Sequence, residues 1–309
     1  MNVDPAPRLT VVIVTWNSRG HIDAALQALR VVREAGDLGC VVVDNCSRDG
    51  TAAFVEQTYP WVRVVRSGDN LGFGRGCNLG AKGAESPYLL FLNPDAVIER
   101  DSLDILLEFI EARPEVGVAG PAIIEGQGES VQKAGLMTTP AGLLRTALGL
   151  GRSGEWGTPI IPGGQPFKTN WICGAVMLVR TEAFRRAGGF DPRFFLYFEE
   201  TDLCRRIASE GYQLWAVGEA IARHEGGASA IPDHESSGPK YISEHFYRSR
   251  FYYLVKHFGW VKAVGAEVIT RMLDAIRRGR NRLLGRTPRH AAGGKRPFLR
   301  FPAPPRDPT

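Results

Sequence analysis

Tyr88-Leu89-Leu90-Phe91-Leu92-Asn93-Pro94-Asp95-Ala96 is the stretch of sequence that decides how this chain folds. Residues 89–92 are wholly apolar, which is typical of a strand buried on both faces of a parallel sheet. Pro94 then ends the strand, because it has no N–H to donate to a neighbouring strand and biases the residue before it away from helix. Asp95 is therefore predicted at the carboxyl edge of the sheet, where open α/β folds bind ligands.

A carboxylate at that edge needs partners, because an unpaired charge beside a buried strand is costly. The candidates for Asp95 are a divalent metal ion, an Arg or Lys side chain, and the backbone donors of a loop. The residues alone are equally consistent with Asp95 as a turn residue or as the N-cap of a helix that starts near Asp101.

Composition describes an ordinary globular chain of 309 residues, of which 44% are hydrophobic and 23% charged. That length favours one large domain or two small ones. Apolar runs stay far below the roughly 20 residues of a membrane span, and residues 1–8 lack the features of a signal peptide, so we expect a protein that is not exported. The five cysteines include no Cys-x-x-Cys pair, which argues against a disulfide framework and a zinc site and favours a reduced cytosolic setting.

Apolar runs alternate with helical patterns along the first half of the chain. This alternation predicts βαβ units, and hence an α/β fold with a Rossmann-like, mostly parallel sheet flanked by helices. Thr51 and Thr181 are predicted to cap short helices. Residues 121–170 are rich in Gly, Pro and Thr and are predicted to be irregular. The predicted strands are residues 9–14, 40–43, 62–65, 89–92, 116–119, 171–179 and 212–217.

The last part of the chain differs in character from the rest. Helices are predicted at residues 241–258 and 260–284, and the second combines an apolar stripe, including Val264 and Leu273, with several arginines. Such a helix can lie on an anionic membrane surface, or pack on its own domain with a solvated basic end. The predicted division is a main domain at 1–240, basic amphipathic helices at 241–285 and a disordered, proline-rich tail at 286–309. Nucleic-acid binding is not expected, because the net charge is only +5.

Several familiar nucleotide-binding motifs are absent. The loop Gly72-x-Gly74-x-x-Cys77 lacks the third glycine of the dinucleotide fingerprint and follows the third strand instead of the first, which argues against a dehydrogenase. A Gly-Lys-Ser/Thr sequence follows none of the predicted strands, so a P-loop is excluded.

Acidic residues recur where strands or aromatic runs end, and in a parallel sheet they can converge on one edge. Asp44 is placed to meet a ribose or base, or to form a turn with Ser47. Glu199, Glu200 and Asp202 start a helix, where the helix dipole favours acids. The aromatic run at 194–198 would also desolvate a carboxylate and raise its pKa towards that of a general base. His224 can be a metal ligand, a phosphate partner or an ordinary surface histidine.

Taken together, these motifs resemble the inverting GT-A nucleotide-sugar glycosyltransferases of family 2, and within it the bacterial rhamnosyltransferase-like branch. The resemblance covers roughly residues 9–256 and implies a GT-A fold with a C-terminal helical extension. It implies a nucleotide-sugar site at the following residues, quoted as they stand in this chain: Thr15, Asn17, Asp44, Asn70, Gly72, Arg75, Asn78 and Asn93.

The resemblance also assigns a metal site and a base. Asn93-Pro94-Asp95 stands in the place of the Asp-x-Asp metal motif, with Asn as its first residue. The implied ligands of a divalent cation, Mn or Mg, are Asp95 and His224. Glu200 matches the acid that acts as catalytic base in the family. The acceptor-side assignments are Trp171, Gly174, Asp191, Glu199 and Asp202.

The implied activity is inverting sugar transfer in the synthesis of cell-surface polysaccharide. The preferred donor is dTDP-L-rhamnose, otherwise a UDP-sugar, and the acceptor is a hydroxyl of a glycan or of a polyprenyl-diphosphate-linked saccharide. A cytoplasmic protein at the inner face of the membrane, with 260–284 at the surface, is expected. A non-catalytic nucleotide-sugar or glycan-binding relative is one alternative, but it would dispense with the acids at 199–202. A sugar nucleotidyltransferase is another, disfavoured because its glycine- and lysine-rich signature is absent after the first strand.

Overall fold

The structure is a computed structural model that describes residues 7–33, 38–126, 130–135, 137–148, 150, 157–225 and 239–283. The strands are β1 (Leu9–Thr15), β2 (Leu38–Asp44), β3 (Arg63–Arg66), β4 (Tyr88–Leu92), β5 (Ala96–Ile98), β6 (Val116–Glu125), β7 (Ser130–Val131), β8 (Lys133–Ala134), β9 (Thr158–Pro159), β10 (Phe167–Thr169), β11 (Val176–Arg180) and β12 (Gln213–His224). The helices are α1 (Ile22–Arg33), α2 (Thr51–Thr58), α3 (Phe73–Ala81), α4 (Arg100–Glu111), α5 (Pro140–Ala147), α6 (Thr181–Arg186), α7 (Glu199–Ser209), α8 (Pro239–Phe258) and α9 (Trp260–Leu283). The tail predicted to be disordered, 286–309, lies outside the described residues.

A ten-stranded mixed sheet forms the centre of the fold, in the order β10-β12-β6-β11-β4-β1-β2-β3, with β5 beside β12 and β7 beside β6. The pairs β1/β2, β1/β4, β2/β3 and β6/β12 are parallel, as expected from the βαβ pattern. Strand β11 runs antiparallel to both β4 and β6 and joins the two parallel groups. The sheet is therefore mixed, with one parallel group formed by β1–β4 and a second formed by β6 and β12.

Register brings the polar ends of several strands to one edge of the sheet. Thr15, at the end of β1, is paired with Asp44 at the end of β2, and Ile13 is paired with Leu92 at the end of β4. His224 ends β12 and pairs with Ala96, the residue after Asp95. Side chains from separate parts of the sequence thus meet where β1, β2, β4 and β12 finish.

Alternating side chains of the strands bury on opposite faces of the sheet, as the period of a strand requires. In β1, Val11 and Ile13 pack in the cluster that includes α1 and α4. Val12 and Val14 pack in the cluster that includes α3, α6 and α7. Helices therefore cover both faces of the sheet, and for this reason the sequences of the central strands are unbroken apolar runs.

Three local predictions were wrong. Thr51 and Thr181 are the first residues of α2 and α6, so the caps are the residues before them, Gly50 and Arg180. Strand β6 does not end before Pro121 but continues to Glu125. Pro121 pairs with Val217 of β12, and the register of β12 then shifts between Val217 and Ile221. This irregularity accommodates Pro121, which has no backbone N–H to donate to a neighbouring strand.

Two further differences concern the irregular region and its neighbours. The region 121–170 contains α5, the end of β6 and the four short strands β7 to β10 in addition to loops. The strand predicted at 171–179 begins only at Val176, after Gly174. The strand predicted at 212–217 continues to His224, so His224 belongs to the sheet and not to a loop.

The C-terminal helices pack on the rest of the protein and on each other. Helix α9 buries Ala263, Ala266, Glu267 and Thr270, and Glu267 accepts hydrogen bonds from the buried Arg250 of α8. The opposite side of α9 exposes large apolar side chains, which we call the exposed apolar stripe: Trp260, Val261, Val268, Ile269, Met272, Ile276 and Leu283. In the part of the chain that the structure describes, helices with the length and apolarity to cross a membrane are absent.

Candidate active site

A cavity of about 300 Å³ opens at the edge where the strands end. Its floor comes from the ends of β1, β4 and β12 and its sides from the starts of α3 and α7. The segment at 194–198, which we call the aromatic segment, supplies much of one wall. The lining residues are Val14, Thr15, Trp16, Asn45, Asn70, Gly72, Phe73, Asn93, Pro94, Asp95, Cys173, Gly174, Ala175, Phe195, Leu196, Tyr197, Glu199, Glu200 and His224.

Asp95 and His224 lie together on one side of the cavity. Asp95 is 5% exposed, and its Oδ1 lies 3.3 Å from Nε2 of His224. Neither carboxylate oxygen of Asp95 accepts a well-aligned hydrogen bond, and Nδ1 of His224 is also without a hydrogen-bond partner. Burial would raise the pKa of Asp95, but the neighbouring His224 outweighs it and lowers that pKa.

These features fit a divalent cation. Buried oxygens with no partner are what a metal ligand presents before the ion binds. Neighbouring ligands around an octahedral ion at about 2.1 Å are about 3 Å apart, close to the observed separation of Asp95 from His224. Among the described residues, groups of three or more His, Cys, Asp or Glu side chains suited to a metal are absent, so the remaining ligands would come from water or a bound substrate.

Glu200 lies on another side of the same cavity, in the first turn of α7. Its Oε1 accepts a hydrogen bond from Nε1 of Trp171 at 3.2 Å and one from the hydroxyl of Thr201 at 3.4 Å. Burial raises the pKa of Glu200 above its ordinary value, even though these donors act in the opposite direction. A carboxylate with a raised pKa is suited to accept a proton near neutral pH.

Glu199 is more deeply buried than Glu200. It is 4% exposed, and its Oε2 has no hydrogen-bond partner. Burial, followed by the charge of Glu200, raises the pKa of Glu199 well above its ordinary value. Burial therefore favours the protonated form of Glu199, and a protonated carboxyl group can donate a hydrogen bond.

The aromatic segment reaches α7 through a strained turn. Tyr197 and Phe198 both have φ of 68°, a left-handed conformation that is unfavourable for bulky side chains. Such conformations persist only where the surrounding structure enforces them, and they concentrate at functional sites. The strain sets the direction in which α7 starts and thus where Glu199 and Glu200 point.

Gly72 joins the glycine-rich loop to the aromatic segment. Its φ is +79°, and a Cβ at this position would lie 2.2 Å from the carbonyl oxygen of Phe195. The next residue, Phe73, donates its backbone N–H to that same oxygen at 3.1 Å. Only glycine fits here, because both the backbone conformation and the close approach exclude a side chain.

Three of the residues predicted to bind the nucleotide form a network behind the cavity. The hydroxyl of Thr15 donates to Oδ1 of Asp44 at 3.2 Å, and the N–H of Ser47 donates to Oδ2 of Asp44 at 3.2 Å. Asn17 donates its N–H to the hydroxyl of Ser47 at 2.9 Å. Asp44 thus makes the turn with Ser47 that was one of its two interpretations, and of the three predicted residues only Thr15 is part of the cavity lining.

Arg75 and Asn78 lie on α3 and are not part of the cavity lining among the described residues. Asn78 donates from Nδ2 to the carbonyl of Phe190 at 2.8 Å and accepts the N–H of Phe190 at Oδ1 at 2.9 Å. Both ends of this amide are thus used to hold the turn before the aromatic segment. The assignment of Arg75 and Asn78 to a donor site stays a prediction.

Asp191 and Asp202 lie behind the aromatic segment, away from the cavity lining. Asp191 pairs with Arg193 at 2.8 Å and with Lys256 at 2.7 Å. Asp202 is fully buried and pairs with Arg206, Lys256 and His257. These contacts favour a structural role for both acids, and their acceptor-side assignment stays a prediction.

The structure therefore brings together nine of the predicted site residues: Thr15, Asn70, Gly72, Asn93, Asp95, Gly174, Glu199, Glu200 and His224. Trp171 is outside the lining but contacts Glu200. The sequence reasoning missed Asn45 and Cys173, which also line the cavity. Asn45 directly follows the end of β2, so the rule that ligands bind beyond strand ends could have found it.

Comparison with known families gives a match over the part of the chain that carries Asp95. Residues 10–186, more than half of the chain, match the family described as glycosyl transferase family 2. The N-acetylglucosaminyl-diphospho-decaprenol L-rhamnosyltransferase of Mycobacterium tuberculosis (strain ATCC 25618 / H37Rv) is 29% identical over 273 residues, which are 82% of this chain and 87% of that protein.

Solved structures show the same fold at low sequence identity. S. aureus TarS 1-349 in complex with UDP superposes with a TM-score of 0.53 and 17% identity, over 86% of this chain and 70% of that one. GalNAc-T7 with UDP, GalNAc and Mn2+ gives a TM-score of 0.51 and 15% identity, over 78% of this chain but only 48% of that one. At these identities the likeness concerns the fold.

Proposed function

The chain belongs to glycosyl transferase family 2 and has an α/β GT-A fold, and we propose that it is an inverting, metal-dependent sugar transferase. In this proposal it moves a sugar from a nucleotide-sugar donor to a hydroxyl of a glycan or of a lipid-linked saccharide. The observation that carries the proposal is the shared cavity, in which Asp95 and His224 face the same space as Glu200.

Asp95 and His224 would hold the divalent cation, Mn or Mg. When bound, such an ion neutralises the charge that develops on a departing nucleoside diphosphate. The protein contributes a carboxylate that is buried and lacks hydrogen-bond donors, so the ion gains a ligand that needs little desolvation on binding. Asn93 stands beside this pair, with its Nδ2 3.3 Å from Nε2 of His224.

Glu200 would be the catalytic base. Its carboxylate accepts the proton of the acceptor hydroxyl as the oxygen attacks the anomeric carbon of the donor sugar. One direct displacement inverts the configuration at that carbon, and a single base is sufficient for it. The indole N–H of Trp171 holds one oxygen of Glu200 and leaves the other for the acceptor.

The relatives support a donor class and an acceptor class. We propose dTDP-L-rhamnose as the preferred donor and a polyprenyl-diphosphate-linked saccharide as the acceptor. The support is the rhamnosyltransferase from Mycobacterium tuberculosis, whose name specifies a rhamnosyl donor and a decaprenol-diphosphate acceptor. UDP-sugars are the alternative donors, since both structural neighbours contain UDP.

A lipid-linked acceptor is consistent with the exposed apolar stripe of α9. Met272 and Ile276 are 59% and 65% exposed, near the middle of the stripe. By helical periodicity Arg271 lies on one flank of the stripe and Arg280 on the other. We propose that this face contacts the anionic inner leaflet of the cell membrane, with the protein on the cytoplasmic side.

The test is turnover of a panel of dTDP-, UDP- and GDP-sugars with Mn or Mg, followed as release of nucleoside diphosphate. Glu200→Gln is expected to lower kcat by about 10²- to 10⁴-fold, the usual effect of removing a general base. Glu85→Gln, at an exposed position, is the matched control. Undiminished turnover by Glu200→Gln would remove Glu200 as the base.

The metal assignment has a separate readout. Titration of Mn with the wild-type protein and nucleoside diphosphate should show saturable binding by calorimetry. Asp95→Asn is expected to weaken that binding by at least about tenfold, because the main anionic ligand is lost. Equal Mn binding by both proteins would refute the metal role of Asp95.

A further inference from the structure

Helix α8 lies along the back of the aromatic segment, on the side away from the cavity. The ring of Tyr252 is 4.8 Å from that of Phe194, and the hydroxyl of Ser249 donates to the carbonyl of Leu196 at 2.8 Å. The wall of the cavity is therefore supported by a helix that contributes nothing to the cavity lining among the described residues.

One cation of α8 connects the two ends of this wall. Nζ of Lys256 lies 2.7 Å from Oδ2 of Asp191 and 2.6 Å from Oδ1 of Asp202. Asp191 precedes the aromatic segment in sequence, and Asp202 follows it in the first turn of α7. A single ammonium group thus holds both ends of the segment that lines the site.

The link through Lys256 is largely shielded from water. The side chains of Asp191 and Asp202 are 5% and 0% exposed, and that of Lys256 is 20% exposed. Ion pairs removed from water are strong only in good geometry, and removal of one partner leaves an uncompensated charge. The carboxylates would also repel one another if the shared cation were absent.

Other charged groups contact the same acids but do not join them. Arg193 pairs with Asp191 only two residues away, and Arg206 pairs with Asp202 within α7. Of the two acids, His257 of α8 pairs with Asp202. Lys256 is therefore the cation that ties α8 to both ends of the aromatic segment, as far as the described residues show.

We infer that Lys256 is a positioning residue for Glu200. Glu200 and Asp202 are two residues apart in the first turn of α7, so Glu200 faces the cavity while Asp202 faces α8. By holding Asp202, and by fixing the start of the segment at Asp191, Lys256 sets the orientation of the turn that carries the base. This inference rests on the proposed role of Glu200.

The experiment uses the full chain and replaces Lys256 by Met, which keeps the length of the side chain and removes the charge. We expect kcat with acceptor to fall by about 10- to 100-fold, because a misplaced base is costly, while the Kd for nucleoside diphosphate with Mn stays unchanged. Lys256→Arg should recover much of the loss, since a guanidinium can pair with both carboxylates. Lys82→Met, at an exposed lysine, is the control.

A double-mutant cycle separates positioning from general stability. If Lys256 acts through the base, Lys256→Met should cost little further activity in a Glu200→Gln background, because the group it positions is already gone. All rates are measured below the onset of thermal unfolding of each variant. If Lys256→Met does not fold, Asp202→Asn cuts the same link with little change of shape, and the same pattern is expected.

Some outcomes would overturn the inference. A lower unfolding temperature with unchanged kcat, or equal fractional losses in the wild-type and Glu200→Gln backgrounds, would show that Lys256 only stabilises the fold. Either result would leave the proposed function intact. Normal turnover by the single Glu200→Gln variant would instead refute the proposed base, and the inference would fail with it.

Discussion

The indole nitrogen of Trp171 lies 3.2 Å from Oε1 of Glu200 and donates a hydrogen bond to it. Burial of Glu200 favours the neutral acid, whereas this bond and the longer one from the hydroxyl of Thr201 favour the carboxylate. A donor to the carboxylate favours the ionised form, so Trp171 lowers the pKa that burial raises. The hydrogen bond from the half-buried Trp171 therefore influences the pH range over which Glu200 can act as a base.

Replacing Trp171 by Phe should shift the pH dependence of the reaction. Without the indole N–H the pKa of Glu200 rises further, so more alkaline conditions are needed to ionise the base. A hydrogen bond to a charged group contributes about 1.5–3 kcal/mol, which corresponds to about 1–2 pH units. The acid limb of kcat/KM is expected to move to higher pH by an amount of that order.

A matched control exists elsewhere in the fold. Trp215 also donates its indole N–H to a side chain, the amide oxygen of Gln213, at 3.0 Å. Trp215 is not part of the cavity lining among the described residues. Trp215→Phe should leave the acid limb in place. An acid limb that does not move in Trp171→Phe would mean that Trp171 has no influence on the titration of the base.

Glu199 provides a prediction about stability. Its pKa is raised well above the ordinary value in the folded protein, whereas the unfolded chain has the ordinary value near 4.3. Below that value both states are protonated, and stability does not depend on this group. As the pH rises towards the folded pKa, only the unfolded state has lost the proton, so the free energy of unfolding falls.

The substitution Glu199→Gln should remove this fall in the free energy of unfolding with rising pH. The variant should be more stable than the wild type at pH 8, where the unfolded wild type has lost the proton of Glu199, and should differ much less from it at pH 4. Urea unfolding at both pH values measures the difference, with the exposed Glu219→Gln as the control. Equal effects at both pH values would show that the pKa of Glu199 is the same in the folded and unfolded states, and a larger destabilisation at pH 8 than at pH 4 would show that Glu199 is ionised and paired in the folded state.

The parts of the fold that could be predicted from sequence are those whose signal is local. The apolar runs gave β1, β2 and β4, and the rule for strand ends placed Asp95 at the correct edge of the sheet. Signals that depend on a distant partner were missed. Strand β12 extends to His224 because β6 and β5 pair with it, and the local sequence at 218–224 did not indicate that pairing.

The same distinction applies to the site. The sequence identified the acids at 199–202 as candidate site residues, but it could not show that Asp202 faces away from the cavity. Its partners Lys256 and His257 are more than 50 residues away, on a helix whose sequence pattern does not reveal which side faces α7. Long-range ion pairs are set by the packing of helices, and packing is not visible in a local pattern.

Gly72 gives a prediction that separates backbone strain from close packing. Gly72 has φ of +79°, and an added Cβ would clash with the carbonyl oxygen of Phe195. Gly68, four residues earlier, has φ of +76° but has no atom within 4 Å of such a Cβ. Alanine at both positions therefore incurs the conformational cost of about 1 kcal/mol, and only Gly72→Ala also displaces the aromatic segment.

We expect Gly72→Ala to lower the free energy of unfolding by about 1–3 kcal/mol more than Gly68→Ala does. It should also weaken binding of nucleoside diphosphate, because the loop and the aromatic segment both line the cavity. Denaturant unfolding and calorimetric titration measure the two effects. Indistinguishable variants would contradict the close contact between Gly72 and Phe195.

The exposed apolar stripe of α9 gives a final prediction. A helix on a protein surface normally turns its apolar side inward, but α9 buries Glu267 and Thr270 and exposes Met272 and Ile276. With arginines on its flanks, the stripe fits an anionic bilayer. The protein should co-sediment with vesicles that contain anionic phospholipid and much less with neutral vesicles, and binding should weaken as salt is added.

Placing charges in the stripe tests this directly. The double substitution Met272→Glu and Ile276→Glu should abolish vesicle binding, because each carboxylate resists burial at the lipid interface and repels anionic headgroups. Val31→Glu, at a residue of α1 that is 52% exposed, should leave binding intact. Activity on a water-soluble acceptor should be unchanged in the double variant, because the stripe is remote from the cavity lining.

Dimerisation of the wild type through this face, without binding to vesicles, would refute the membrane assignment. Light scattering would then show a molecular mass for the wild type that the double substitution halves.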